Sequence, residues 1–308
     1  MKASTRRGLG SLILAVLIAL SATTAGAAPV RKSRTTIHRS AKAGKSGARH
    51  RVRRARRGPP GGVVWARSAV MFDPVTNELL YQKNAAASVP IASLTKLMTA
   101  MVFLDQEPDM GRSVEVTRAD LSGAGHTQLR RGEIVALGDL LHMSLMCSDN
   151  VATRVIARES GISPDDFLSQ MNKRAAELEL TDTRFVEFTG LDERNVSTAT
   201  DVAKLLRAAA DHETIRSIST TRKYEFRTAR RAHFIGNTNR LLYSRYQILG
   251  GKTGFINEAG YCLATWVRAE GRDMIAVVLG APTNATRFAD VVRMVQKTTK
   301  PTFAPTQN

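Results

Sequence analysis

The 308-residue chain has only two cysteines, Cys147 and Cys262, too few for the disulfide framework of a small secreted scaffold. Both lie in segments that border the reactive residues singled out below, where a bridge would constrain geometry, so two buried free thiols are expected. Histidine is scarce too, at six. No histidines fall at metal-ligand spacing, and neither a metal nor another cofactor is expected. Aromatic residues make up 6% of the chain, and none stands in the stretch richest in positive charge. That removes the stacking platform of a single-strand nucleic-acid binder. Acidic residues are missing altogether from positions 1–57, which hold fifteen Lys or Arg.

This last absence decides how the formal net charge of +18 is read. A value that large ordinarily suggests nucleic acid as a partner. Residues 58–308, however, balance thirty basic side chains against twenty-seven acidic ones, so the body is nearly neutral and no nucleic-acid partner is expected. The excess sits in an arm over residues 31–57, spaced by Ser, Gly and Ala and without apolar periodicity, which cannot bury enough surface to fold. Two readings stay open for it. Clustered cations hold a protein near anionic wall polymer or lipid headgroups, and the same composition serves as a solvated spacer ending at Pro59-Pro60.

Ahead of the arm, a basic start, an apolar run over 9–20 and the small residues Ala25-Gly26-Ala27-Ala28 follow the three-part order of a secretory signal. An uncleaved anchor is the alternative, against which the run is short for a bilayer span. No cysteine follows the run, which argues against a lipoprotein. An exported protein is expected, with a signal over 1–28, a basic linker over 29–60, one domain over 61–300 and a short tail over 301–308.

With 43% hydrophobic residues, the chain can bury one large core. Residues 63–73 are rich in apolar and β-branched side chains, Asp73-Pro74-Val75-Thr76-Asn77 is turn chemistry, and 78–82 is extended again. A hairpin is expected there. Residues 93–104 hold no Gly or Pro and place Leu94, Leu97, Met98, Met101 and Val102 at helical spacing, which predicts a buried helix entered from Pro90. Further helices are expected over 137–146, 151–158, 164–178 behind a Ser163 cap, and 199–210. The period then switches. Strands are expected over 251–255, 261–269 and 273–280, the last two joined through Glu270-Gly271-Arg272, before a closing helix over 285–297. Strands at both ends with helices between imply one antiparallel sheet built from both ends of the chain, a helical lobe beside it and a cleft between them.

Three short motifs carry chemistry. In Ser93-Leu94-Thr95-Lys96 the hydroxyl and the amine, three residues apart on a helix, lie on one face about 5–6 Å apart at the backbone. A serine needs a base to become a nucleophile, and a deprotonated lysine can be that base. Taken alone, the same spacing describes a helix cap followed by a surface lysine. Ser148-Asp149-Asn150 puts three small polar side chains at a helix junction, where Asn150 or Ser148 would also serve as an N-cap. Lys252-Thr253-Gly254 offers a cation and a hydroxyl to a carboxylate, with Gly254 allowing substrate backbone to approach. His142 lies on an apolar helix and reads as a packed residue, and Met98, Met101 and Met146 read as core.

In this order and at these separations, the three motifs resemble the signature of serine penicillin-recognising enzymes, the penicillin-binding proteins and active-site serine β-lactamases. From about residue 62 to 297 the chain resembles the low-molecular-weight D-alanyl-D-alanine carboxypeptidase and endopeptidase family. The added matching stretches are Phe188-Thr189-Gly190-Leu191-Asp192, Ser197-Thr198-Ala199-Thr200-Asp201, Asn237-Thr238-Asn239-Arg240-Leu241-Leu242 and residues 252–262. The resemblance implies an α+β, penicillin-binding transpeptidase-like fold, with an antiparallel sheet, flanking helices and an all-helical lobe.

It further implies Ser93 as the acylated nucleophile, Lys96 as general base and Ser148 as a proton relay. Asn150, Lys252, Thr253 and Gly254 would bind substrate, and the backbone N–H groups of Ser93 and Phe255 would form an oxyanion hole. Two lysines facing one cleft disfavour each other's charge, which helps Lys96 stay neutral. The implied partners are peptidoglycan peptides, with β-lactams as covalent inhibitors. The single-domain layout and the Lys252-Thr253-Gly254-Phe255 neighbourhood look more like the endopeptidase branch, with carboxypeptidase as the alternative. A β-lactamase would need a deacylating glutamate; Glu187 stands in a DD-peptidase context instead. A scaffold without turnover is the remaining alternative, against which every catalytic position is present. A periplasmic or wall-associated location follows from the branch.

Overall fold

A computed structural model describes residues 62–299 of the chain. The expected signal, the basic arm and the tail over 301–308 lie outside the described residues.

The centre is a five-stranded antiparallel sheet made from β1 (Ser68–Phe72), β2 (Leu79–Lys83), β9 (Gln247–Ile256), β10 (Gly260–Ala269) and β11 (Arg272–Ala281). Its order is β2-β1-β11-β10-β9, so β1 pairs with the last strand and the two ends of the chain close one sheet. The Asp73 carboxylate turns the chain between β1 and β2 by accepting from the backbone N–H of Val75 at 2.9 Å and of Thr76 at 3.1 Å. Between β10 and β11, Glu270 and Gly271 both take positive φ, at 52° and 76°, the backbone of a two-residue hairpin turn that matches strand twist.

The period-2 alternation of β11 distributes its side chains between two cores. Ile275, Val277 and Leu279 join the core shared with the helical lobe, whereas Met274, Ala276 and Val278 face α8 (Asn284–Thr299) through Val291, Met294 and Val295. A strand covered on both faces reads as a continuous apolar run, as residues 274–281 do.

The lobe contains α1 (Lys96–Leu104), α2 (Arg118–Leu121), α3 (Leu137–His142), α4 (Asn150–Arg158), α5 (Pro164–Glu177), α6 (Ala199–Asp211) and α7 (Glu213–Thr220). Ser163 caps α5, as expected, by accepting from the Asp166 N–H at 3.1 Å. Short pairs β3 (Val89–Pro90) with β6 (Val196–Ser197) and β4 (Ser113–Glu115) with β5 (Ile134–Ala136) tie the loops together. A hairpin, β7 (Lys223–Arg227) with β8 (Ala232–Gly236), leads back to the sheet.

The architecture matches the sequence expectation, and the departures cluster around the motifs. The helix expected from Ser93 begins at Lys96, because Ala92–Thr95 forms a 3-10 turn and Ala92 takes φ 49°. The helix expected over 137–146 ends at His142 and continues as a π turn, Met143–Cys147, closed by Ser148 at φ 65°. The cap of α4 is neither Ser148 nor Asn150 but Asp149, which accepts from the Ala152 N–H at 3.0 Å. Among the described residues no helix is long and apolar enough to cross a membrane.

Candidate active site

Ser93 sits on the tight turn before α1, and Lys96 opens the helix. The Lys96 ammonium position is fixed by three acceptors: Ser93 Oγ at 3.0 Å, Asn150 Oδ1 at 2.7 Å and the Thr189 carbonyl at 2.6 Å. Positive φ at Ala92 lets the chain turn there, and two glycines press on it from either side. A β-carbon on Gly190 (φ 80°) would overlap the Ala92 carbonyl, and one on Gly254 would lie 2.9 Å from Ile91 O and 3.1 Å from Ser93 N. Gly254 therefore makes a close approach to the turn that carries Ser93. Strand β9 and the 187–191 loop clamp Ser93 between them.

The second and third motifs meet across the cleft. Ser148, held in the left-handed conformation at the end of the π turn, accepts a hydrogen bond from Lys252 Nζ at 2.8 Å. Lys252 also donates to the Thr253 carbonyl at 3.0 Å. Thr253 Oγ1 lies 2.6 Å from Thr238 Oγ1, and Thr238 in turn donates to the Met146 carbonyl. Asn150 is engaged at both ends, since its Nδ2 donates to Ala124 O at 2.9 Å while its Oδ1 accepts from Lys96. It holds the Lys96 amine in place, a contact the sequence reading did not give it.

Both lysines are shut away from water, and that sets their chemistry. Burial lowers Lys96 from the ordinary 10.5 to about 7, partly opposed by the negative charge of Glu187 and then of Asp149. Lys252 is pushed well below the usual lysine range, by burial first and then by Lys96. Two ammonium charges in one dry cleft disfavour each other, so one amine stays available as a base near neutral pH. The thiols do not compete with the serine: burial raises both Cys147 and Cys262 to about 11. Both are free, as expected, although Cys147 is only partly buried. His142 is packed, its ring stacked 3.8 Å from that of Tyr224.

Glu187 does not stand free for a catalytic water. Its carboxylate accepts from the backbone N–H groups of Thr189 at 2.7 Å, Gly190, and Leu191 at 3.0 Å, and from Asn195 Nδ2 at 2.9 Å. It builds the loop that carries the Thr189 carbonyl to Lys96. Sequence reasoning missed Arg287. This side chain lies beneath the third motif, with Nη1 donating to Gly254 O at 3.1 Å and to Cys262 O at 3.3 Å. Burial lowers it to about 10. The signal was present in α8, where position 287 falls four before Val291 on the face that packs on the sheet.

A family profile described as D-alanyl-D-alanine carboxypeptidase matches this chain over residues 55–283. The chain belongs to this family. It is accordingly a serine-type hydrolase. A D-alanyl-D-alanine endopeptidase of Pseudomonas aeruginosa is 36% identical over 232 residues, covering 74% of this chain and 75% of that one. Its counterpart in Escherichia coli K12 is 34% identical with the same coverage. Among solved structures, the Streptomyces K15 DD-transpeptidase superimposes with a TM-score of 0.73 at 27% identity, over 77% of this chain and 98% of that one. Penicillin-binding protein D2 of Listeria monocytogenes, in its cefotaxime-bound form, gives 0.69 at 29% identity, over 78% and 100%. The penicillin-binding, β-lactamase-like α+β fold is therefore the fold of this chain.

Proposed function

We propose that the chain is an exported D-alanyl-D-alanine endopeptidase that opens peptide cross-links of peptidoglycan through an acyl-enzyme on Ser93. The observation that carries this reading is the 3.0 Å hydrogen bond between Ser93 Oγ and a buried Lys96 whose pKa falls to about 7. Neutral Lys96 takes the Ser93 proton as Oγ attacks the D-alanyl carbonyl. The developing oxyanion accepts from the backbone N–H groups of Ser93 and Phe255, neighbours because Gly254 packs on the Ser93 nitrogen. Ser148, which touches Lys252, relays that proton from Lys96 to the leaving amine, so Lys96 is neutral again. Water then attacks the ester, and Lys96 again serves as base.

Lys252 and Thr253, with Asn150, hold the peptide that follows the scissile bond. When a carboxylate enters, it favours the charged form of Lys252 and offsets the burial that otherwise drives off its proton. A D-alanyl-D-alanine carboxypeptidase would use the same acyl-enzyme with a smaller leaving group, and a relative of that name in Bacillus subtilis is 32% identical over 239 residues. The endopeptidase reading is favoured by the relatives at 36% and 34% identity. A periplasmic location goes with that reading. A β-lactamase is disfavoured because Glu187 is saturated by its own loop. β-Lactams bind as slow substrates that trap Ser93.

Mass analysis of purified cross-linked muropeptides, incubated with the protein or with its Ser93→Ala variant beside a pentapeptide control, tests the reading. Conversion of dimers to monomers only with the intact serine supports it. Loss of one alanine from pentapeptide with dimers untouched makes the enzyme a carboxypeptidase. The basic arm over 31–57 is proposed to hold the enzyme on anionic wall surface, since it carries twelve Lys or Arg and no acid. Deleting it should weaken sedimentation with sacculi and leave turnover of a soluble peptide unchanged; equal sedimentation would reduce it to a spacer.

A further inference from the structure

Five arginines converge on one rim of the cleft, outside the residues assigned above. Arg130 and Arg131 lie on the loop between α2 and β5, and Arg227, Arg230 and Arg231 lie at the tip of the β7–β8 hairpin. The two segments are joined face to face. Arg230 Nη1 donates to Arg131 O at 3.0 Å and Arg231 Nη2 donates to Gln128 O. Gly132, at φ 71°, leaves the space in which the Arg230 guanidinium lies, 3.1 Å from where a β-carbon would be. Beneath them the buried Glu133 carboxylate binds His233 Nε2 at 2.6 Å and accepts from Thr228 Oγ1 at 2.9 Å. The tip is thus a clamped surface, not a loose turn.

The charge on it is largely unanswered. Arg231 has Glu133 at 3.8 Å. Among the described residues, no ion-pair partner is found for Arg130, Arg131, Arg227 or Arg230. The exposed acid on the hairpin is Glu225, and Glu115 is exposed on β4, which pairs with β5. Arginine in such a cluster matches carboxylates through its planar fork, and the summed field attracts polyanions.

Both supporting segments also run straight out of the catalytic cleft. Thr127 Oγ1 donates to Asp149 of the second motif at 2.7 Å, and three residues of chain, at most about 10 Å, separate Thr127 from Arg130. On the other side β8 continues into Thr238, which touches Thr253. A strand rises about 3.3 Å per residue, so Ala232 at the hairpin tip lies at most roughly 20 Å along the chain from Thr238.

We propose that this arginine ridge is a substrate subsite that binds the carboxylates of an acidic peptide strand, the stem peptides of cross-linked wall beyond the scissile bond. The inference rests on the peptidase reading and adds what that reading lacks, a reason for preferring cross-linked polymer over a short peptide. A stem peptide carries free α-carboxylates at intervals, and a second, cross-linked stem brings more of them within reach of the ridge. The ridge makes the substrate a polyanion as well as a D-alanyl amide.

The test replaces the three arginines whose side chains hold nothing in the fold, as Arg130→Gln/Arg131→Gln/Arg227→Gln in the full protein. Two readouts are taken: steady-state kinetics on purified cross-linked muropeptides, free or with their carboxylates amidated, and acylation of Ser93 by a penicillin, whose single carboxylate is the one assigned to Lys252 and Thr253. At low salt the expected result is a KM for the free-carboxylate dimer raised about tenfold, equivalent to about 1.4 kcal/mol. The rise should shrink with added salt and be absent on the amidated dimer. An unchanged KM, or an equal rise on the amidated dimer, overturns the inference. So does a loss of affinity confined to phosphatidylglycerol vesicles or to phosphate-bearing wall polymer. If penicillin fails to acylate Ser93 in the unmutated protein, the peptidase reading itself is at fault, and the subsite falls with it.

Discussion

Lys96 joins catalysis and stability in one titration. Burial lowers its pKa from 10.5 to about 7, and at about 1.36 kcal/mol per pH unit this costs folding roughly 5 kcal/mol near neutral pH, relative to an exposed lysine. Between pH 7 and 10.5 the unfolded chain keeps a proton that the folded chain has released. Stability contributed by this group therefore rises with pH across that window, by up to about 1.4 kcal/mol per unit. Below about pH 7 both states are protonated and the full penalty stays in place. Lys96→Met removes the titration but strands Ser93 Oγ, Asn150 Oδ1 and the Thr189 carbonyl, at about 1–3 kcal/mol for each unsatisfied buried group. The two effects oppose each other at neutral pH. Urea unfolding from pH 7.5 to 10 should then show the wild type gaining on Lys96→Met by about 1 kcal/mol or more per unit. In parallel, the rate of Ser93 acylation by a penicillin, followed by stopped flow, should rise with pH and level off above about pH 7. Lys96→Arg, unable to release its proton, should lose about 10²–10⁴-fold. A flat acylation profile, or Lys96→Arg within threefold of wild type, would refute the assignment of the base. Equal pH slopes in the unfolding series would refute its burial as the cause.

Three further outcomes follow from the same geometry. Glu187→Gln removes the negative charge that favours protonation of Lys96, so the acylation limb should move to lower pH; a shift to higher pH would contradict the electrostatics. Gly190→Ala places a β-carbon against the Ala92 carbonyl at a positive φ, which should destabilise by about 3 kcal/mol and slow acylation, measured by thermal melting beside penicillin labelling. A variant with native melting and labelling would mean that the turn does not lean on that glycine. Asp290, buried in α8, accepts from Trp65 N at 3.0 Å and Ala66 N at 2.8 Å. Asp290→Ala should lose about 3 kcal/mol of stability with acylation by penicillin unchanged, and slower acylation would extend its role to the cleft.

The two ends of the chain announced a shared sheet through period, because a strand covered on both faces reads as a continuous apolar run, as residues 274–281 of β11 do. Helices with a clear stripe and cap, such as α5 behind Ser163, were equally legible. The hairpin of β7 and β8 was not singled out, although its alternation of exposed Lys223, Glu225 and Arg227 with inward Tyr224 and Phe226 was there to read. Helix α7 was missed for a different reason. Its eight residues end in Ser219 and Thr220, poor helix formers that are held by packing, not by propensity.

For the site, contiguous motifs in a family-like order singled out Ser93, Lys96, Ser148 and Lys252, with their roles implied by the resemblance. What the motifs could not supply was the partner each side chain would meet. That Lys96 faces Asn150 and the Thr189 carbonyl, that Lys252 holds Ser148, that Arg287 underlies Gly254 and that Glu187 is consumed by its own loop are contacts between residues as many as 104 positions apart. Sequence determined which residue types stand at which spacing, and so which groups are able to react. Tertiary structure alone decided their charge and direction, since a pKa depends on how much water is excluded and which charges the fold brings near.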